Sequence, residues 1–228
     1  LVRNFAASVN FGDLAVRNFR DLPRAKFYMP GLFYWLARLM FGWSRPRNQV
    51  LGSEFAGEVT AVGEQVTQIK PGDQVYGYTG PLMGTYAELV KIPASGAFAR
   101  KPDNVSFAQA AVMPYGVVVA SSVLRKVSIK PGAKVLLVGA SGGIGSAALQ
   151  LLKQQYLAEV TAVCSTQKIH YVKALGADHV IDYTRDEFSE GPGSYDLIVD
   201  VLGLTPYSLC RRLLKSDGVC LQIGRAHV

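Results

Sequence analysis

The sequence is poor in cysteine and histidine, with three of each among its 228 residues. All three cysteines follow residue 163, so they cannot build a four-cysteine zinc site, and their small number suits a reducing compartment. No apolar run reaches the roughly 18 residues that a membrane-spanning helix needs. With 49% hydrophobic and 18% charged residues, the composition excludes disordered, collagen-like and disulfide-scaffold classes. One or two globular domains remain.

Acidic residues are scarce in the first 50 positions, where eight arginines and lysines stand against two aspartates and supply most of the net charge of +7. No nucleic-acid-binding element accompanies this charge, so we expect no nucleic-acid partner. An anionic cofactor or a membrane surface fits better. Residues 30–43 are aromatic and flanked by basic residues. They predict either a packed helix or lid over a pocket, or a peripheral membrane contact.

Residues 52–93 have the pattern of a small β domain. Short segments rich in valine, threonine and tyrosine are separated by glycine and proline turns. The predicted strands are residues 58–62, 74–78 and 85–90. Several short strands at this close spacing indicate a small barrel or sandwich.

From residue 106 onward, strand and helix patterns alternate. Predicted helices cover residues 107–127 with an interruption at Pro114, 144–156 and 168–175; predicted strands cover 134–138, 159–163, 179–181, 196–201 and 219–222. Alternation at these lengths predicts an α/β fold with a doubly wound parallel sheet.

A glycine-rich stretch, residues 138–145, follows the first buried strand of this sheet and opens a helix. A tight turn, close approach of a pyrophosphate and packing of helix against strand all require small residues there, and the helix start favours the anion. The stretch therefore predicts a dinucleotide site. The candidate cofactor-binding residues are Gly139, Ser141, Gly142, Gly143, Ile144 and Gly145.

The end of the second predicted strand distinguishes the two nicotinamide dinucleotides. An NAD site places a carboxylate there, on the ribose 2′-hydroxyl. Here the strand runs into Cys164, Ser165 and Thr166, followed by Lys168. A carboxylate would repel a 2′-phosphate, whereas hydroxyls and a lysine bind it. We therefore predict NADPH as the cofactor.

Taken together, these motifs resemble the medium-chain dehydrogenase/reductase superfamily, in particular its zinc-free quinone oxidoreductase (zeta-crystallin-like) branch. The motifs that carry the resemblance are residues 6–10 with Asp13, 51–59, 61–63, 70–75, 138–145 and 175–183. The resemblance implies a GroES-like β-barrel domain over residues 1–106 and a Rossmann domain over residues 107–228, with the substrate in the cleft between them.

The resemblance also implies roles for single residues. Asn10 and Ser53 stand where zinc alcohol dehydrogenases have cysteine and histidine ligands, so no catalytic zinc is expected. Lys168 and Tyr183 match the lysine and tyrosine that grip the 2′-phosphate, and Ser165 lies beside them. Asn10 and Tyr78 are candidate catalytic residues on the substrate side.

The resulting hypothesis is an enzyme that transfers hydride from NADPH to a quinone, an enone or another α,β-unsaturated carbonyl, without zinc. Two alternatives stay open: a broad-specificity NADP-dependent alcohol or aldehyde dehydrogenase, and a non-catalytic NADPH-binding protein associated with membranes. Relatives imply a homodimer for the whole protein. A cytoplasmic location is expected, with an organelle not excluded.

The chain lacks an initiator methionine and stops after the fifth predicted strand of its parallel sheet. We therefore expect a fragment, with the GroES-like domain incomplete at its start and the Rossmann domain incomplete at its end. Residues 223–228 resemble a peptide encoded by a sequencing adaptor, which leaves their native origin open.

Overall fold

The computed structural model describes residues 1–18, 35, 36, 39, 50–185 and 194–223. The chain forms two compact units, Leu1–Tyr115 and Gly116–Val228, and each has a hydrophobic core of its own. Helix Phe107–Ala111 packs on Ala56 of the first unit through Ala110 and Ala111. The predicted domain boundary between residues 106 and 107 stays a prediction.

The first unit is built on an antiparallel sheet. Its strands are β1 Val2–Ala6, β2 Glu54–Val59, β3 Gln74–Tyr78, β4 Leu89–Val90 and β5 Ala97–Arg100, and its helices are α1 Phe11–Arg17 and α2 Phe107–Ala111. The strand order is β4-β1-β2-β3-β5, with antiparallel neighbours throughout. The buried side chains of Val2, Phe55, Val59 and Val75 form a core of this unit, and β2, which carries two of them, is the central strand of the sheet.

Two predicted strands of the first unit differ from the structure, while the strand at residues 74–78 is confirmed. The strand predicted at residues 58–62 lies at Glu54–Val59, because a central strand buried on both faces tolerates glutamate and glycine that lower its β propensity. The strand predicted at residues 85–90 is reduced to Leu89–Val90. The N–H groups of Thr85 and Tyr86 donate instead to carbonyls of the segment before β2.

The second unit is a parallel α/β sheet. Its strands are β6 Lys134–Val138, β7 Glu159–Cys164, β8 His179–Asp182, β9 Tyr195–Asp200 and β10 Leu214–Gln222. Its helices are α3 Pro114–Leu124, which begins two residues before the unit does, α4 Gly143–Gln154, α5 Ile169–Ala174 and α6 Tyr207–Leu213. The order is β10-β9-β6-β7-β8, with parallel neighbours throughout. The predicted doubly wound parallel sheet is confirmed.

Strand β6 shows why this half of the chain is predictable. Alternate residues of β6 belong to the two cores of the unit: Val135 and Leu137 to one, Leu136 and Val138 to the other. A parallel strand buried on both faces has a continuous apolar sequence, and the predicted bounds of β6 are those observed. Strand β10 begins five residues before its prediction, with a register shift between Leu214 and Val219.

Candidate functional site

A glycine-rich turn joins strand β6 to helix α4. The strand ends at Val138 and the helix begins at Gly143, with Gly142 as an N-cap that forms no side-chain hydrogen bond. The first N–H groups of a helix have no acceptor within it, and the positive end of the helix dipole lies there. The turn therefore offers unpaired donors and a favourable field to a phosphate anion.

The backbone itself requires two glycines of this turn. Gly139 has a φ of +80°, and a Cβ on Gly145 would lie 2.1 Å from the Gly139 carbonyl oxygen. At Gly143 an added Cβ would meet nothing within 4 Å, so there is open space beside the helix start. The Ile144 side chain packs against the core, and its backbone N–H lies in the first turn of the helix, where the helix offers no acceptor. Ser141 lies in the same turn and is partly buried. The turn fits a dinucleotide.

The residues predicted to bind a 2′-phosphate follow the ends of two neighbouring strands. Strands β7 and β8 are paired up to Cys164 and Asp182, so Ser165 and Tyr183 are the next residues on each. The Tyr183 N–H donates to the Cys164 carbonyl at 3.2 Å, and the Lys168 N–H donates to the Ser165 carbonyl at 2.8 Å. Lys168 and Tyr183 are exposed. We call these two strand ends, residues 165–168 and 182–184, the β7–β8 corner.

One carboxylate stands at the β7–β8 corner, and sequence reasoning gave it no role. Asp182 is 5% exposed. Its Oδ2 accepts a hydrogen bond from the Thr166 hydroxyl at 2.5 Å, and its Oδ1 accepts from the Thr184 hydroxyl at 2.7 Å and the Thr184 N–H at 3.0 Å. The bond from Thr166 and then those from Thr184 lower the pKa of Asp182 although burial opposes this. The signal in the sequence was a threonine two residues beyond each strand end.

A second carboxylate missed from the sequence holds the loop after strand β9. Asp200 is fully buried, and it accepts hydrogen bonds from the N–H groups of Leu202 at 2.9 Å, Gly203 at 2.9 Å and Thr205 at 2.7 Å. A Cβ on Gly139 would lie 3.0 Å from the Leu202 side chain. Asp200 therefore fixes a loop that packs directly against the glycine turn.

In the first unit, the polar groups of Asn10 bond to neighbouring residues. Its side-chain oxygen accepts from the Asp13 N–H at 3.2 Å, and its backbone N–H donates to Asp13 Oδ2 at 3.0 Å, which forms a capping box on helix α1. Its Nδ2 donates to Ser53 Oγ at 3.1 Å and to Glu54 Oε2 at 3.3 Å. Asn10 thus joins the start of α1 to the start of β2.

Glu54 lies at the centre of this polar cluster and is 2% exposed. Its Oε1 accepts from the Tyr115 N–H at 2.7 Å, and its Oε2 accepts from the Ser8 hydroxyl as well as from Asn10. A buried carboxylate costs free energy unless such donors surround it. Sequence reasoning missed Glu54, although a glutamate inside an apolar strand is a recognisable signal.

Three tyrosines border Glu54 and keep their protons. Burial raises the pKa of Tyr78, with Tyr115, Glu54 and Asp13 adding to the shift, and the rings of Tyr78 and Tyr115 are 5.6 Å apart. Burial raises the pKa of Tyr115 as well. Burial and then Asp13 raise the pKa of Tyr86 to about 12, and its hydroxyl donates to the Ser8 carbonyl at 3.0 Å. Tyr78 is therefore a neutral phenol that can donate a hydrogen bond.

Two family models match the chain in the order of its two units. Residues 1–103 match the alcohol dehydrogenase GroES-like domain, and residues 143–228 match the zinc-binding dehydrogenase family. The chain belongs to the medium-chain dehydrogenase/reductase superfamily. The predicted fold class, a GroES-like domain followed by a Rossmann sheet, is confirmed.

Two similar plant proteins are named as a reductase and an oxidoreductase. Over 166 residues the chain is 39% identical to the 2-methylene-furan-3-one reductase of Solanum lycopersicum, covering 69% of this chain and 42% of that protein. Over 181 residues it is 36% identical to the chloroplastic NADPH-dependent alkenal/one oxidoreductase of Arabidopsis thaliana, covering 76% of this chain and 46% of that protein. The matched part of this chain therefore spans less than half the length of either relative.

A solved structure gives the same result for the fold. The quinone oxidoreductase of Escherichia coli, complexed with NADPH, has a TM-score of 0.74 and 26% identity to this chain. The match covers 98% of this chain and 64% of that one. The two units thus follow a known oxidoreductase fold of the superfamily.

The superfamily also includes zinc enzymes, and the donor set of this member does not fit that metal. The positions expected to hold zinc carry the Asn10 amide and the Ser53 hydroxyl, which bond to each other. Neither is an ordinary zinc ligand. In the described ranges, no group of three or more His, Cys, Asp or Glu side chains could hold a metal ion.

The segment predicted to be a packed helix or lid, or a membrane contact, residues 30–43, lies outside the described residues except for Trp35, Leu36 and Leu39, which are exposed. Among the helices in the described part of this superfamily member, none has the length and apolar character needed to cross a bilayer.

Proposed function

We propose that the protein transfers hydride from NADPH to an electron-poor carbon of a quinone, an enone or another α,β-unsaturated carbonyl, without zinc. The observation that carries the proposal is the β7–β8 corner, where Ser165, Lys168 and Tyr183 follow two paired strands and the one buried carboxylate is already saturated by hydrogen bonds. The names of the two plant reductases support the substrate class, and the NADPH complex of the bacterial enzyme supports the cofactor.

The second unit supplies the binding of the cofactor. The N–H groups at the start of helix α4 hold the pyrophosphate, at the turn that Gly139 and Gly145 make possible. Lys168 pairs with the 2′-phosphate, and the hydroxyls of Ser165 and Tyr183 donate to it. When bound, the nicotinamide supplies the hydride chemistry, and the protein contributes binding and orientation.

The first unit supplies polar groups for the substrate. Burial and its neighbours raise the pKa of Tyr78, which is protonated at neutral pH in any case, so its hydroxyl can donate to a substrate carbonyl oxygen. Asn10 uses its side-chain groups on Asp13, Ser53 and Glu54, so we assign it the positioning of Glu54 rather than direct contact. The GroES-like domain over residues 1–106 and the Rossmann domain over residues 107–228 remain part of this proposal, as does a homodimer of the whole protein.

Nucleotide preference tests the proposal at the β7–β8 corner. The variant Lys168→Ala removes the lysine of the corner, so the Kd for NADPH should rise roughly tenfold or more, the scale of one charge-assisted hydrogen bond. The Kd for NADH should not change. Nucleotide fluorescence measures both, and Lys173→Ala, an exposed lysine on the neighbouring helix α5, is the matched control.

Turnover tests the reaction. The protein should oxidise NADPH in the presence of at least one quinone or enone, followed by absorbance at the nicotinamide band. Tighter binding of NADH than of NADPH, or no turnover with any acceptor of these classes, would overturn the proposal.

A further inference from the structure

Resting on the proposed NADPH site, we infer that Asp182 is a positioning residue for the 2′-phosphate: its carboxylate ties the loop after β7 to the loop after β8 through Thr166 and Thr184. It does not touch the phosphate itself. The loops it joins carry Lys168 and Tyr183, so these hydrogen bonds fix the backbone positions of both residues.

The positions of the threonines make this link direct. Thr166 is the first residue of a 3-10 turn, Thr166–Lys168, that ends on the proposed phosphate-binding lysine. Thr184 directly follows Tyr183. In the described part of the chain, a backbone hydrogen bond from the Tyr183 N–H to the Cys164 carbonyl also links the two strand ends. Both loops are exposed, and Asp182 is the buried group to which they attach.

The two threonine hydroxyls donate to Asp182 and not to a ligand. The Thr166 and Thr184 oxygens lie 2.7 Å apart, and they lie 2.5 and 2.7 Å from the carboxylate oxygens. Each hydroxyl has a single proton, and a charged carboxylate has none. Only two protons are available for three short contacts, and both hydroxyls donate to the Asp182 carboxylate. The side-chain donors that remain at the β7–β8 corner for a 2′-phosphate are Ser165, Lys168 and Tyr183, and Arg185 directly follows the corner.

A carboxylate close to a phosphate site acts in two opposite ways. Its negative charge repels the phosphate, whereas the order that it gives to the two loops lowers the entropy cost of binding. The exposed side chains of Lys168 and Tyr183 lie in solvent, where salt screens charges, and three hydrogen-bond donors partly offset the charge of the buried Asp182. We therefore expect loop ordering to outweigh charge repulsion. Loss of the Asp182 hydrogen bonds should then weaken binding of the 2′-phosphate.

The test measures binding of two adenosine nucleotides to the whole chain by calorimetry: adenosine 2′,5′-bisphosphate, which carries the 2′-phosphate, and adenosine 5′-monophosphate, which does not. Thr166→Val removes one arm of the tie and leaves the charge of Asp182 unchanged. We expect its Kd for the bisphosphate to rise roughly tenfold, with the Kd for the monophosphate unchanged. Thr166→Ser keeps the hydroxyl and should restore the wild-type ratio.

Two further variants separate positioning from charge and from stability. Asp182→Asn keeps the shape of the side chain but loses its charge and cannot accept hydrogen bonds from both threonine hydroxyls. The Kd for the monophosphate divided by the Kd for the bisphosphate should therefore fall toward one. Asp178→Asn is the matched control, because Asp178 lies just before the other end of β8 and bonds to Lys153 and the Val160 N–H. It should weaken thermal stability and leave the ratio unchanged.

Each outcome decides between the two proposals. A wild-type chain that does not prefer the bisphosphate would overturn the proposed NADPH site. If wild type prefers the bisphosphate, then unchanged binding in Thr166→Val, or tighter bisphosphate binding in Asp182→Asn, would show that Asp182 acts only as a charge or only in folding, and would overturn the positioning role.

Discussion

Gly145 allows the glycine turn and helix α4 to approach more closely than any side chain permits. Gly139 lies opposite it and adopts a left-handed φ. The sequence indicated both residues, because the pattern of glycines after a buried strand has this physical cause. It did not indicate Leu202, which packs against Gly139 from a segment more than sixty residues away.

Substitution of Gly145 tests the close approach of the glycine turn to helix α4. Gly145→Ala places a methyl group 2.1 Å from the Gly139 carbonyl oxygen, so the backbone must shift at a cost of about 2 kcal/mol or more. The midpoint of thermal unfolding should fall by roughly 4 to 8 °C. Gly143→Ala is the control, because nothing lies within 4 Å of the added carbon, and equal loss in both variants would contradict the steric argument.

Asn10 illustrates how far residue-level reasoning extends. Its polar character and its place beside a family motif were readable in the sequence. Its bonds to Ser53 and Glu54 join residues 43 and 44 positions apart, so the proposal that it positions Glu54 needed the fold.

Strand β9 and the loop after it show what one buried side chain does for an element. Asp200 closes the strand and accepts three backbone N–H groups of the loop, and the Gln222 side chain on β10 donates to the Thr205 carbonyl at 2.6 Å. The strand was predicted from its apolar residues, but the loop conformation was not, because its hydrogen bonds converge on one carboxylate.

An element-scale prediction follows for Asp200. In Asp200→Asn one acceptor oxygen becomes an NH₂ group facing backbone donors, which should cost about 3 kcal/mol, since bonds to a buried charged group are lost. Chemical unfolding measures this cost. Asp217→Asn, at an exposed position on β10, should change stability by less than about 0.5 kcal/mol. A small effect at both sites would mean that the loop is held by other contacts.

At the scale of the whole molecule, charged pairs stabilise the second unit. Burial opposes the charge of Asp178, but hydrogen bonds from Lys153 and Val160 lower its pKa below the ordinary 3.8. The hydrogen bond from Lys215 lowers the pKa of Asp196 in the same direction. A carboxylate with a lowered pKa in the folded state stabilises the fold above its unfolded pKa, and this contribution is lost as the pH falls through the folded pKa.

The second unit should therefore lose stability as the pH falls below about 4, the ordinary aspartate value. Thermal unfolding followed by circular dichroism between pH 7 and pH 3 measures the loss. The double variant D178N/D196N should be less stable than wild type at pH 7 and show a shallower dependence in the acid range. An unchanged slope would show that these pairs do not couple folding to protonation.

The sequence by itself determined the parallel sheet, the glycine turn and the superfamily, because each depends on local patterns: continuous apolar strands, small residues at a tight turn and a helix start. Tertiary structure alone decided that Glu54 is saturated by Ser8, Asn10 and Tyr115, and that Asp182 joins two loops through Thr166 and Thr184. Except for the Asp182–Thr184 bond, these contacts join residues 16 to 61 positions apart, and a single sequence carries no record of which distant polar groups meet.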